Sequence, residues 1–392
     1  MSEQFGVKVS IYRGGTSKGL IFRPEDLPAD TELRDKIIVN AFGSPDIRQI
    51  DGLGGADSLT SKMAIIGPSA RPDADVDYTF GQVSIYDSKI DYSGNCGNIS
   101  SAVGPFAVNT GLVKAVSPIT RVRIYNTNTK KIIEAEVPVE NGLACSCGDT
   151  VIDGVPGTGA RIVLNFLDSA GSVTGKLLPS GCPKEQITTS RGSRTVSFVD
   201  SANPVIFVIA SELGLRGDEL PEEIIANKAV MTELEEIRGS FAVRIGLAVD
   251  WESAHVSSPG VPKICIVSEP RSYTTISGKE ISADTIDITG RMMSMQKPHK
   301  AFAVTGAICL GTAAMIPGTV VNDIFRSKAN ASEGTVNVRI GHPSGTIEVA
   351  VQVSEENGQI NVEKAALVRT ARRLLEGTVY ISNKKLAETV LK

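Results

Sequence analysis

Asp91-Tyr92-Ser93-Gly94-Asn95-Cys96-Gly97-Asn98-Ile99-Ser100-Ser101-Ala102-Val103-Gly104-Pro105-Phe106-Ala107 is the stretch from which the rest of the chain is read. A β-type run from Tyr78 to Tyr92 leads into it. A tight Ser93-Gly94-Asn95 turn follows, and the small residues from Ile99 to Val108 predict a helix. That order puts the Cys96 thiol at a helix N-terminus, where unbonded backbone N–H groups and the positive end of the helix dipole collect. An anion such as a carboxylate is favoured at the same place. Buried free cysteines are common and mostly inert. Here glycine and asparagine flank the cysteine on both sides. They expose backbone donors and permit φ > 0, which a core-packing cysteine does not need. Cys96 is therefore a candidate nucleophile or acid–base group.

Outward from that stretch, composition sets the bounds. The chain has 392 residues, 41% of them apolar, which is enough for two domains with sizeable cores. A formal net charge of -4 gives no support for binding nucleic acid or an anionic membrane. No apolar run approaches the length of a transmembrane helix, and Met1-Ser2-Glu3-Gln4-Phe5 is not the start of a signal peptide. Six cysteines scattered through so long a chain read as reduced thiols of a cytoplasmic protein. Cys145-Ser146-Cys147 has no nearby Cys/His pair to complete a metal site, so no metal is expected.

Val7 to Tyr12 alternates as a strand, and Arg13-Gly14-Gly15-Thr16-Ser17-Lys18-Gly19 leads into a second strand, Leu20 to Phe22. The glycine loop lacks the Gly-Lys-Ser/Thr order of a P-loop and runs into a strand rather than a helix, which argues against nucleotide binding. Thr31 to Ala41 reads as a helix with Asp30 as N-cap. A second polar loop, Asp51 to Lys62, precedes the strand Met63 to Ile66.

The second half repeats the first. Val9-Ser10-Ile11-Tyr12 lines up with Val196-Ser197-Phe198-Val199, Val122-Arg123-Ile124 with Val338-Arg339-Ile340, and Glu140-Asn141-Gly142 with Glu356-Asn357-Gly358. Gln296 to Gly311 takes the place of the segment that begins at Cys96, with Pro298 suited to a helix start. Three matches in the same order point to a duplication. Each unit is mostly strands around one small-residue helix, an α+β, mainly β fold. The two helix N-termini are expected to face each other across an inter-domain cleft, a favoured ligand site. Expected domains are 1–185 and 186–375, meeting near Gly181 to Arg194, with 376–392 returning to the first domain. Lys364 to Leu375 reads as a helix and Gly377 to Ser382 as a strand.

Four ordered motifs carry a resemblance over essentially the whole chain. They are Tyr12 to Lys18, Gly54-Gly55 through Ser61-Lys62, Gly94-Asn95-Cys96-Gly97-Asn98, and His299-Lys300. Together they resemble the 3-methylitaconate Δ-isomerase / 2-methylaconitate isomerase family, relatives of diaminopimelate epimerase. The resemblance implies two pseudo-symmetric domains, each with strands wrapped around a central helix. It also implies proton transfer on carbon with no cofactor, with Lys62 and Cys96 at the acid–base positions. The distant epimerases have a second cysteine at the second helix start. This chain has Pro298-His299-Lys300 there, with Cys309 ten residues beyond His299. One cysteine paired with one lysine is the better reading.

The implied reaction is an allylic isomerisation of an unsaturated dicarboxylate, (R)-3-methylitaconate to 2,3-dimethylmaleate, by a 1,3-proton shift. Its dienolate intermediate needs preformed donors. The candidates are Thr16, Ser17, Thr60, the backbone N–H groups of Gly97-Asn98, and His299-Lys300. Arg13, Lys18 and Arg291 are either carboxylate ligands or ordinary charge, while His255 and His342 read as structural. Cys96 is favoured as proton carrier with Lys62 as partner, and the residues leave open which is the base. 2-Methylaconitate cis-trans isomerisation and oxalomesaconate tautomerisation remain alternatives, as does a catalytically silent dicarboxylate-binding accessory protein. The only partner expected besides substrate is another copy of the chain, in a dimer or tetramer.

Overall fold

A computed structural model describes residues 3–326, 334–356 and 359–392. The chain divides into two compact units. The first comprises Met1–Val151, Gly157–Leu164 and Arg369–Lys392; the second comprises Ile152–Pro156 and Asn165–Val368. The crossover between units thus falls ahead of the Gly181 to Arg194 stretch. None of the helices among the described residues is long and apolar enough to cross a membrane.

In the first unit the main strands are β1 (Gln4–Gly14), β2 (Ser17–Phe22), β3 (Lys62–Pro68), β4 (Val76–Val83), β5 (Ile119–Asn126) and β6 (Lys131–Glu140). Helix α1 (Thr31–Phe42) lies between β2 and β3, and α2 (Gly97–Asn109) between β4 and β5. Neighbouring strands pair antiparallel (β1–β2), parallel (β2–β3), antiparallel (β3–β4), parallel (β4–β5) and antiparallel (β5–β6). Asp30 caps α1 by accepting from the Leu33 N–H at 2.7 Å, and Gly43 ends it in the left-handed region. Every residue of α2 from Gly97 to Val108 is buried. Small side chains make that possible: a Cβ on Gly104 would lie 2.6 Å from Val137 Cγ2 on β6. Wrapping strands around a helix therefore requires the Gly-Ser-Ala composition that marks this stretch.

The second unit runs through the same series. Its strands are β7 (Gly192–Asp200), β8 (Pro204–Ile209), β9 (Lys263–Ser268), β10 (Ile288–Ser294), β11 (Val336–His342) and β12 (Gly345–Glu356). Helix α3 (Lys228–Arg244) lies between β8 and β9, and α4 (Val304–Met315) between β10 and β11. The pairing again alternates: antiparallel, parallel, antiparallel, parallel, antiparallel. The aligned segments occupy matching strands, β1 with β7 and β5 with β11, so the duplication holds. Of the third match, Asn357 and Gly358 lie outside the described residues. The core under α3 is built from Phe198, Ile206, Val208, Ile237 and Phe241.

Two expectations are corrected. Lys364 to Leu375 is not a helix. It is divided between the strand Gln359–Arg369 and β13 (Ala371–Ser382), which pairs antiparallel with β1 from Gln4 to Gly14. Good helix formers are overruled there by a long tertiary ladder. The second central helix does not begin at Pro298-His299. Lys297–Pro298 forms a short antiparallel pair with Met293 and Ser294, and α4 starts at Val304 after its N-cap Ala303.

Candidate active site

The β1–β2 hairpin and the first turn of α2 are built against each other. A Cβ on Gly14 would lie 2.4 Å from the Asn98 carbonyl oxygen. One on Gly15, at φ +50, would lie 2.0 Å from Asn98 Oδ1. Only glycine permits this approach. Thr16 and Asn98 then exchange bonds. The Thr16 N–H donates to Asn98 Oδ1 at 3.3 Å, and Asn98 Nδ2 donates to Thr16 Oγ1 at 3.1 Å. Gly15 N–H donates to the Thr370 carbonyl at 2.9 Å, and Arg13 Nη1 donates to the same oxygen at 2.9 Å. Arg13 is thus a structural clamp.

Ser17 faces the helix. Gly19, two residues along β2, points its Cβ position at Ile99 Cδ1, 3.1 Å away, and strand side chains repeat with period two. The Ser17 hydroxyl is buried and has no hydrogen-bond partner. A buried hydroxyl left unbonded costs roughly 1–3 kcal/mol, so its position suits a polar ligand.

Cys96 is the N-cap residue of α2, but its side chain makes no capping bond. It is half-buried and unpaired with any other cysteine. Its carbonyl accepts from the Ser100 N–H at 2.9 Å and from the Tyr78 hydroxyl at 3.5 Å. Burial, with the charge of a Cys96 thiolate added to it, pushes the Tyr78 hydroxyl well above its ordinary pKa. Tyr78 therefore stays a protonated donor beside Cys96.

Tyr78, Phe80 and Gln82 share one face of β4. The β3–β4 register sets Lys62 opposite Gln82. The Lys62 ammonium donates to Gln82 Oε1 at 2.6 Å and lies 5.5 Å from the centre of the Phe80 ring. Gln82 is held by its own amide, which donates to the carbonyls of Ser61 at 2.9 Å and Ser58 at 3.1 Å. Lys62 is buried, not a solvated loop lysine. One strand face thus carries the contact to Cys96 at Tyr78 and the two contacts to Lys62 at Phe80 and Gln82.

The loop before β3 is fastened by Gln49, whose Oε1 accepts from Ser61 Oγ and from Ala56 N–H, both at 2.8 Å. Thr60 donates to the Asp57 carbonyl at 3.2 Å, and the Lys18 N–H donates to Leu59 O at 2.9 Å. The loop is thereby laid along the start of β2.

In the second unit, His299 is buried in the loop before α4. Its Nδ1 accepts from the Ala301 N–H at 3.0 Å, which places the proton of the neutral ring on Nε2. Lys300 is exposed, and its carbonyl accepts from the Ser344 hydroxyl at 2.5 Å. Arg291 spends its guanidinium on the carbonyls of Glu219, Asp218 and Gly290, a structural role. Cys309 lies inside α4, fully buried, and donates to the Val199 carbonyl at 3.2 Å. Burial pushes its thiol well above the ordinary value. Asn203, at the turn that matches Thr16-Ser17, is also fully buried, with neither end of its amide hydrogen-bonded.

Within the first unit, then, the structure brings together Thr16, Ser17, Asn98 and the N-cap Cys96 at the start of α2. Lys62 stands on the adjoining β3–β4 pair. Sequence reasoning missed Tyr78 and Gln82. Their signal was faint: polar groups at alternate positions of a strand otherwise read only as the lead into Cys96. Among the described residues no group of three His, Cys, Asp or Glu side chains is placed to hold a metal ion.

Comparison with known proteins gives a family model described as PrpF protein, which matches residues 4–382. The 3-methylitaconate isomerase of Eubacterium barkeri is 52% identical over 387 residues, covering 98% of this chain and all of that protein. A solved methylitaconate-delta-isomerase superposes with a TM-score of 0.79 at 52% identity, covering 98% of each chain. A hydroxyproline epimerase from Agrobacterium vitis shares the fold at a TM-score of 0.59 and 12% identity, covering 98% of this chain and 96% of its own.

Proposed function

Because the chain belongs to the PrpF family, we propose that it is a cofactor-independent allylic isomerase of unsaturated dicarboxylates, converting (R)-3-methylitaconate to 2,3-dimethylmaleate. The relative of 52% identity that covers 98% of the chain supports this substrate. The observation that carries the reading is the β4 face on which Tyr78 meets Cys96 while Phe80 and Gln82 hold Lys62.

In the reaction, the C–H bond next to one carboxylate breaks and its electron pair forms the new C=C bond. The electrons of the terminal methylene C=C take up a proton at the CH2 carbon, which becomes a methyl group. Charge passes through a dienolate. This reading assigns the first N–H groups of α2 and the Ser17 hydroxyl as donors to a carboxylate, and one such donor lowers the barrier by roughly 3 kcal/mol. Cys96 carries the proton and Lys62 is its partner. Thr60, His299 and Lys300 belong to the substrate-binding set of the same reading. A cytoplasmic location fits six cysteines that are all free thiols. We assign a symmetric homo-oligomer, dimer or tetramer, as the working state.

The test is proton NMR of the purified protein in D₂O with 3-methylitaconate, 2-methylaconitate and 4-oxalomesaconate. Deuterium is expected at the allylic carbons of 3-methylitaconate, with dimethylmaleate accumulating. Cys96→Ser keeps size and hydrogen bonding but loses the readily ionised group, so turnover should fall at least ~100-fold. Binding without exchange would instead identify an accessory protein. Near wild-type turnover in Cys96→Ser would remove the thiol from the mechanism.

A further inference from the structure

The Cys96 carbonyl is bonded more heavily than a helix start requires. It accepts from the Ser100 N–H at 2.9 Å, the first bond of the α2 ladder, and from the Ser100 hydroxyl at 3.1 Å. The Tyr78 hydroxyl reaches the same oxygen from β4 at 3.5 Å. Both side chains are fully buried. The Ser100 hydroxyl also lies 3.3 Å from Oδ1 of the buried Asn95, so the turn before Cys96 is tied to the same helical residue. Serine inside a helix often bonds back to the carbonyl four residues earlier. Here that carbonyl belongs to the N-cap, and a second hydroxyl joins it from a strand.

That oxygen is one end of a planar unit whose other end is the Gly97 N–H. The Cys96–Gly97 bond is trans, so the two groups point in opposite directions and holding the oxygen aims the N–H. Gly97 opens α2, and its N–H has no intrahelical acceptor. Hydrogen bonds to the oxygen also polarise the unit, strengthening its N–H as a donor by roughly 10–30% per bond. We infer that Tyr78 and Ser100 are positioning residues: they fix and polarise the Cys96–Gly97 peptide so that its N–H stabilises the charge developing on a substrate carboxylate. This rests on the dicarboxylate isomerase reading and names the residues behind one of its donors. Burial, with the charge of a Cys96 thiolate added to it, keeps the Tyr78 hydroxyl protonated, so it serves as a donor throughout turnover. The buried, unpartnered Ser17 hydroxyl, which faces the same helix, is a separate donor of that reading and does not depend on this peptide.

The test compares Tyr78→Phe, Ser100→Ala and the double variant with wild type, each as the full-length protein. Each substitution removes one hydroxyl and leaves the ring or the helix in place. Ser100→Ala should lower kcat roughly fivefold, the factor that one neutral hydrogen bond is worth. The longer Tyr78 contact should give about twofold alone, and the double variant about tenfold. KM should stay within about twofold, because the charge that this donor meets grows only toward the transition state. Labelling with ¹⁵N-glycine adds a readout independent of turnover: the Gly97 amide signal should move upfield in each variant as its peptide loses polarisation. If the double variant does not fold, the two single variants decide. A double variant with kcat within twofold of wild type overturns the inference. So does a lowered thermal midpoint with kcat and the Gly97 signal unchanged, which would mark two structural hydroxyls. The two readings separate cleanly. A wild-type protein that exchanges no deuterium, with the Gly97 amide still moving in the variants, sinks the isomerase reading alone. Full isomerase activity with an unmoved Gly97 amide in both single variants sinks the positioning role alone.

Discussion

Replacing Gln82 by leucine isolates the part of the site that orients Lys62. The side chain is buried and makes three useful bonds: its Oε1 accepts from the Lys62 ammonium at 2.6 Å, and its amide donates to Ser61 O at 2.9 Å and Ser58 O at 3.1 Å. A hydrogen bond to a charged group is worth about 1.5–3 kcal/mol and a neutral one about 1 kcal/mol. Losing all three should destabilise the fold by about 3.5–5 kcal/mol. Only the bond to Lys62 bears on turnover. If about 2 kcal/mol of it holds the ammonium where proton transfer needs it, kcat should fall roughly 30-fold. The cation–π contact with Phe80 remains and sets a floor. The assay is the initial rate of dimethylmaleate formation at saturating substrate, with urea unfolding on the same preparation. A folded Gln82→Leu protein with kcat within twofold of wild type would refute the reasoning. Lys62 would then either be held by other means or take no part in the chemistry.

Gly15→Ala places a methyl group 2.0 Å from Asn98 Oδ1 at a φ of +50. It should cost about 2 kcal/mol or more in stability and weaken dicarboxylate binding, read by thermal midpoint and calorimetry; unchanged values would mean the hairpin does not position α2. The Cys309 thiol bears on stability at high pH. Its folded-state pKa is raised, so the stability it contributes is complete below its unfolded value, about 8.5, and is lost as pH rises from there toward the folded value. Urea midpoints between pH 7 and 10 should therefore fall more steeply for wild type than for Cys309→Ala, with kcat at pH 7 alike in both; parallel slopes would refute the assignment.

Much of the fold was legible because its cause is local. The turn before Cys96 and the small residues after it sufficed to place the thiol at the start of α2, since only a helix without bulk is wrapped by strands. The duplication was legible because paired strands repeat their apolar alternation. Lys364 to Leu375 was illegible for the opposite reason. Its Ala, Leu, Lys and Arg residues suit a helix, but Lys364 to Ala366 pairs with β12, and the residues from Ala371 on pair with β1, which lies far away in the sequence. The start of α4 was hidden likewise: the His299 N–H is taken by Met292 O at 2.8 Å, a hairpin contact that outweighs the invitation of Pro298. Gln82 shares this limit: it matters through Lys62, a contact across two strands that no local pattern announces.

The pairing of β13 with β1 also fixes an order of events during synthesis. Domains generally fold as they leave the ribosome, N-terminal first. Here β1 is among the earliest segments made, yet its partner from Ala371 to Ser382 follows the whole of the second unit. Until then β1 presents one unpaired edge, the kind of surface that invites wrong partners. The second unit, nearly continuous from Asn165 to Val368, can complete its core while the first still waits. The half that carries Cys96 and Lys62 is thus begun first and finished last.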